Sequence, residues 1–151
     1  MKIANVLSRK GSHFETVSET ALLSEVVERM YRHSIGSVGV KNGSTGKISG
    51  IVSQQEVTKA LALHGMPALQ TPATTFMRKP APACYCDDNA ADVMRSMTRE
   101  RSRHAVVRSV TGAVAGLVSL GDLVAALLED AQLEAGVLRD MARSHLLGAP
   151  G

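Results

Sequence analysis

The residues in this chain whose types and spacing suggest chemistry are two serine–acid pairs. Ser119 and Asp122 lie three apart within Gly116-Leu-Val-Ser-Leu-Gly-Asp122, and Ser53 and Glu56 repeat that spacing within Gly50-Ile-Val-Ser-Gln-Gln-Glu56. Each pair follows an apolar run that reads as the end of a buried strand and precedes a helical stripe: Leu123, Val124, Leu127 and Leu128 in one case, Val57, Ala60 and Leu61 in the other. A strand that turns directly into a helix places Ser119, Gly121 and Asp122 on the first turn, where free backbone N–H groups and the positive end of the dipole favour an anion. The same spacing is also that of a capping box, in which serine and acid satisfy each other's neighbouring amides and nothing else. Both readings stand for Ser119 and Asp122. For Ser53 and Glu56 the cap comes first, because Glu is the better capping partner.

Other reactive side chains form no constellation. Arg99, Arg101, Arg103 and His104 gather before one strand, either as donors to an anion or as a solvated helix end followed by a core histidine. His13, His33, His64 and His145 show no metal-ligand spacing. Cys84 and Cys86, two apart in a predicted strand, share a face, but they make neither a disulfide framework nor a zinc quartet, and a reduced pair in the cytoplasm is the expectation. With no nucleophile–base pair, metal cluster or P-loop in view, the sequence does not read as an enzyme.

The elements that must position these residues are those of a small core. With 151 residues, no Trp and 3% aromatic content, the core must come from Val, Leu, Ile, Ala and Met. Scarce aromatics argue against base-stacking platforms, and a formal charge of +3 is short of a DNA-binding footprint, so a small anionic ligand fits better than a nucleic acid. No run is apolar enough to span a bilayer, and the first ten residues show no signal-peptide core. A cytoplasmic location is expected.

In chain order, Ile3, Val6 and Leu7 form a short apolar segment that leads into a polar connector, and residues 14–17 alternate as a strand. A helical stripe at 22, 23, 26, 27 and 30 ends near Arg32-His33. Residues 35–40 and 47–52 are hairpin strands, and Ser53 caps a helix that closes at Gly65 and Pro67. Four of the five prolines fall in residues 66–82, the junction between units. A second series then repeats the first: strand 83–86, helix 90–98, strands 104–108 and 113–118, and a helix from Asp122. Val26, Val27 and Met30 match Val93, Met94 and Met97 at an offset of 67, whereas Gly50 and Gly116 are 66 apart, because the first hairpin loop is one residue longer. An offset that changes only at a loop marks a duplicated β-α-β-β-α unit. The expected units are residues 1–69 and 70–130. They are followed by a helical tail, 131–151, whose stripe Leu128, Ala131, Ala135, Leu138 and Ala142 predicts a packing partner and which Gly136 would weaken.

Two tandem units of this order, each ending in Gly-apolar-apolar-Ser-x-x-acid, resemble the cystathionine-β-synthase (CBS) domain pair, and the resemblance covers nearly the whole chain. The resemblance implies an α/β (α+β) fold of two repeats packed about a pseudo-two-fold axis, with clefts that hold adenosine-containing ligands such as AMP, ATP, NAD or S-adenosylmethionine. It implies a homodimeric regulatory module that acts on an effector protein, with the nucleotide as regulatory ligand and no required cofactor. By position, Ser119 would lie near the phosphate and Asp122 would accept hydrogen bonds from the ribose hydroxyls, as a carboxylate with acceptor sites for both can. Gly116 and Val118 belong to the same corner, and Arg103 and His104 would donate to phosphate. Ile35, Gly36 and Ser37 would admit a flat purine. Ser53 and Glu56 would form a second, weaker site, since Glu56 stands where Asp is usual and Gln54-Gln55 where Glu-Arg is common. Ala105-Val106 likewise replaces a frequent Leu-Pro. The alternative is a ligand-free dimeric scaffold.

Overall fold

The computed structural model describes residues 1–148. Two three-stranded sheets carry the chain. The first holds β1 (Thr16–Ser18), β2 (Ser37–Lys41) and β3 (Ile48–Ser53), with α2 (Leu23–His33) between β1 and β2 and α3 (Gln54–His64) after β3. The second holds β4 (Ala83–Tyr85), β5 (His104–Arg108) and β6 (Val114–Ser119), with α4 (Ala90–Arg99) and α5 (Leu120–Gly148) in the matching places. In each sheet the first pair is parallel and the second antiparallel. Registers repeat as well: Ser37 faces Ser53 as His104 faces Ser119, and the pairing slips between Val40 and Lys41 as between Val107 and Arg108. The duplication seen in the sequence is therefore a duplication of hydrogen-bond register.

Each repeat completes its core with the segment that leads into the other. The Ile3, Val6 and Leu7 spacing is that of a helix face, and residues Ile3–Lys10 form α1, which takes in both the expected short apolar segment and the start of the expected polar connector. This helix packs those three residues into the second repeat beside Cys84, Val93, Val107 and Leu123. Its start is tied there by Ile3 N–H to the Asp88 carbonyl (2.9 Å) and Ala4 N–H to the Cys86 carbonyl (2.9 Å). The proline-rich junction, two 3₁₀ turns at Met66–Gln70 and Ala73–Thr75, buries Ala68 and Ala73 in the first core with Phe76 and Met77 against it. The junction then runs over β3, where Ile51 and Arg78 exchange backbone bonds (3.2 and 2.8 Å). A Cβ on Gly50 would lie 2.6 Å from the Arg78 carbonyl oxygen, so this crossing requires glycine.

Some boundaries differ from the sequence expectation. Strand β2 starts at Ser37, not Ile35, because Ser34 takes a left-handed conformation (φ 53°) that ends α2 and Ile35 N–H bonds back to the Met30 carbonyl (3.0 Å). Strand β1 is confined to Thr16–Ser18, where it has β2 as a partner. Helix α5 continues without a break through Gly136 to Gly148. No helix among the described residues is long and apolar enough to cross a membrane.

Candidate functional site

The corner between β6 and α5 is fixed from both sides. Leu120 N–H donates to the Arg103 carbonyl (2.8 Å), which ties the first residue of α5 to the residue before β5. Ser119 Oγ accepts from Asp122 N–H at 3.0 Å, and Ser119 N–H donates to Asp122 Oδ2 at 2.8 Å, a reciprocal cap with Asp in the acidic place. The cap is real, and it is not all that the carboxylate does. Lys10, at the end of α1, donates from Nζ to Asp122 Oδ2 (2.8 Å) and to the Leu117 carbonyl (2.7 Å). Both side chains keep 27% of their surface exposed, so the pair is partly withdrawn from water. Burial pushes the Asp122 carboxyl up, but Lys10 and the Ser119 amide outweigh it and hold it below its ordinary value.

Lys10 was not among the residues the sequence pointed to. It is 112 positions from Asp122, and no local periodicity connects them. Its neighbour Arg9 holds α5 one turn further along, donating to the Ala126 carbonyl (3.2 Å) and reaching Asp130 (3.4 Å) and Glu129 (3.6 Å). Thus the segment that enters the first repeat is clamped to the last helix of the second.

His104 opens β5 opposite Ser119. Its ring lies over Gly36 of the first repeat, where a Cβ would be 3.1 Å from Nε2. The imidazole lies on one side of Gly36, the position at which the resemblance implies the approach of a purine. Burial lowers the basicity of His104; Asp122 works against that, and Lys10 and Arg103 add to it. Nδ1 of His104 and Oγ of Ser37 are buried and have no hydrogen-bond partner among the described residues. Native structures leave few such groups unpaired, and these two are closed off from solvent. Arg103 is exposed beside them.

The remaining residues divide between core and rim. Val118 is fully buried in the second core and supports the corner from beneath. Gly116 lies under the α1–β1 connector, where a Cβ would be 3.1 Å from Leu7 and 3.5 Å from Ser12. Ile35 and Gly36 line an open groove of about 820 Å³ between α2 and α3 with Val27, Tyr31, Gln54 and Val57. Ser37 belongs to the first corner, facing Ser53 in register.

That first corner has the same architecture. Gln54 N–H donates to the Gly36 carbonyl (3.1 Å), as Leu120 does to Arg103. Ser53 Oγ accepts from Gln55 N–H (3.2 Å) and donates to the Glu56 carboxylate. The hydroxyl is thus spent within the cap, and no Lys or Arg reaches Glu56 among the described residues. The two corners differ in charge pairing, not in backbone.

The Cys84 thiol is buried and pushed up to about 12, by desolvation first and then by Asp88 and Cys86. A thiol in that state is a poor nucleophile and a poor metal ligand. Among the described residues no group of His, Cys, Asp and Glu is arranged to hold a metal.

Comparison with known proteins agrees with this fold. The family model described as CBS domain matches residues 5–63 and again 73–129. An uncharacterized 17.7 kDa protein of Acidianus ambivalens is 26% identical over 113 residues, which are 75% of this chain and 66% of that one, so the chain spans just under two thirds of this relative. Among solved structures, a CBS-domain protein of Agrobacterium tumefaciens is 31% identical with a TM-score of 0.79, covering 83% of this chain and 98% of that one. A CBS domain protein of Pyrobaculum aerophilum complexed with AMP has the same fold at 24% identity, with a TM-score of 0.74 and coverage of 87% and 99%. With two family matches placed on two repeats of identical register, the chain belongs to the CBS-domain family as a tandem pair with a C-terminal helix.

Proposed function

We propose that this protein is a regulatory module that binds an adenine nucleotide at the Ser119–Asp122 corner and passes its occupancy to a partner protein. The observation that carries the reading is the Asp122 carboxylate, set on the first turn of α5, ionised, and facing a connector that belongs to the other repeat. A ribose diol there has a charged acceptor, and a phosphate has the exposed Arg103 and the half-buried His104 beside the same corner. The nucleoside end is assigned to the groove at Ile35 and Gly36 beside Ser37, while Gly116, packed against Leu7 and Ser12, and the buried Val118 support the corner from behind. The Pyrobaculum aerophilum relative carries AMP on the same fold. Ser53 and Glu56 form the weaker second site, since the serine hydroxyl is already committed to the glutamate.

Calorimetry with AMP and 2′-deoxy-AMP tests this reading. Asp122→Ala is expected to lower AMP affinity about ten- to a hundred-fold, the loss of charge-assisted bonds of roughly 1.5–3 kcal/mol. Wild type should prefer the ribose form, and the variant should lose most of that preference. If Asp122 is a cap alone, the substitution costs about 1 kcal/mol of stability and leaves binding unchanged.

The second reading, a ligand-free scaffold in the cytoplasm, is favoured by one feature. Along α5, Leu128 and Leu138 on one side and Leu133, Val137 and Met141 on the other are all more than half exposed, apolar surface suited to a second copy of the chain. Dimerisation is part of both readings; only nucleotide binding separates them.

A further inference from the structure

One oxygen of the Asp122 carboxylate that would hold a ribose, Oδ2, is already held, by a residue of the other repeat's leading segment. Lys10 Nζ lies 2.8 Å from Oδ2 and 2.7 Å from the Leu117 carbonyl. Both bonds belong to the second repeat, and so does the anchorage of Arg9 on α5. A diol that approaches Oδ2 therefore meets an ammonium group in its place. No equivalent cation stands on Glu56 in the first corner among the described residues.

Resting on the nucleotide-binding reading, we propose that Lys10 is an internal competitor for the ribose position and makes the corner selective for phosphorylated over uncharged nucleosides. Displacing a partly buried ammonium from its carboxylate leaves a cation without a counter-charge, which is costly unless the incoming molecule supplies one. A nucleoside monophosphate brings two anionic oxygens into the same corner, to which the released Lys10 turns. Adenosine brings none, so to take both carboxylate oxygens with its diol it has to open the ion pair on Oδ2 without compensation. Negative selection of this kind discriminates through what the wrong ligand leaves unpaired. Release also loosens the Arg9–Lys10 clamp on α5, which continues directly into the exposed tail. The selectivity and the outward signal then share one residue.

The test is calorimetry with AMP and with adenosine on wild type, Lys10→Met and Lys10→Arg, in the full chain. Lys10→Met is expected to bind adenosine about ten-fold more tightly than wild type and to reduce the AMP-over-adenosine ratio by about ten-fold or more. Lys10→Arg keeps the cation and should keep the wild-type ratio, which controls for damage to the connector. An unchanged ratio in Lys10→Met, with AMP still bound and Asp122→Ala still impaired, overturns the competitor role while the nucleotide reading survives. If neither ligand binds wild type or either variant, the nucleotide reading falls and the competitor role falls with it.

Discussion

At the scale of single residues, the corner gathers charges whose protonation is tuned in two separate windows. His104 has its basicity lowered from an ordinary 6.5, chiefly by burial. Its neutral form is the one the fold accommodates, so its contribution is fully present above about pH 6.5 and is lost as pH falls through the lowered folded value. Asp122 is pushed up by burial and drawn down more strongly by Lys10 and the Ser119 amide. Its contribution is present above the ordinary carboxylate value of about 4 and is lost only as pH falls through a still lower one. The two effects can be told apart by melting at about pH 7.5 and about pH 5. Wild type is expected to lose more stability over that interval than His104→Gln, because only the imidazole titrates there of the two. Equal losses would mean that His104 does not gain a proton at the cost of the fold.

At the scale of elements, each repeat depends on close passage of the segment that leads into its neighbour. The junction crosses β3 at Gly50, with the Arg78 carbonyl 2.6 Å and Met77 Sδ 2.9 Å from where a Cβ would stand. Gly50→Ala must therefore move backbone, and overpacking of this sort costs about 1–3 kcal/mol. Gly121 provides the contrast. A Cβ there meets only Ser119 Oγ at 3.6 Å, an ordinary contact, and the residue is exposed on a helical first turn. Gly121→Ala is expected to be neutral or slightly stabilising, since Ala is the better helix former. Chemical denaturation of both variants measures the difference; a Gly50→Ala protein as stable as Gly121→Ala would show that the junction does not bear on β3.

At the scale of the whole molecule, the feature without a partner is the second half of α5. Leu138, Leu146 and Leu147 are 66%, 79% and 82% exposed, far more than the same residue type elsewhere in the cores. A helix of 29 residues stabilised by packing only at its first turns has little to hold the remainder. The expected outcome is a dimer through this helix. Light scattering at micromolar concentration should give twice the chain mass for wild type and a smaller species for a Leu128→Asp, Leu138→Asp double variant. A wild-type monomer would overturn the assignment of this helix to a subunit contact.

The sequence by itself determined the repeat, and with it most of the fold. Chain-local signals suffice for that: Ser53 and Ser119 as caps, the stripes at Val26–Met30 and Val93–Met97, and the offset that changes only across a hairpin loop. These depend on side-chain periodicity and on backbone groups a few residues apart, which a linear reading contains. Ile3, Val6 and Leu7 already had the spacing of a helix face, yet eight residues are too few for periodicity to specify a helix without the second core that they fill. Tertiary structure alone decided what surrounds the carboxylates. Lys10 meets Asp122 across 112 residues, His104 covers Gly36 across the two repeats, and Glu56 is left with its own serine. Charge pairing across such distances depends on how the repeats dock, and nothing in the spacing of Ser-x-x-acid distinguishes a carboxylate that carries an ammonium from one that does not.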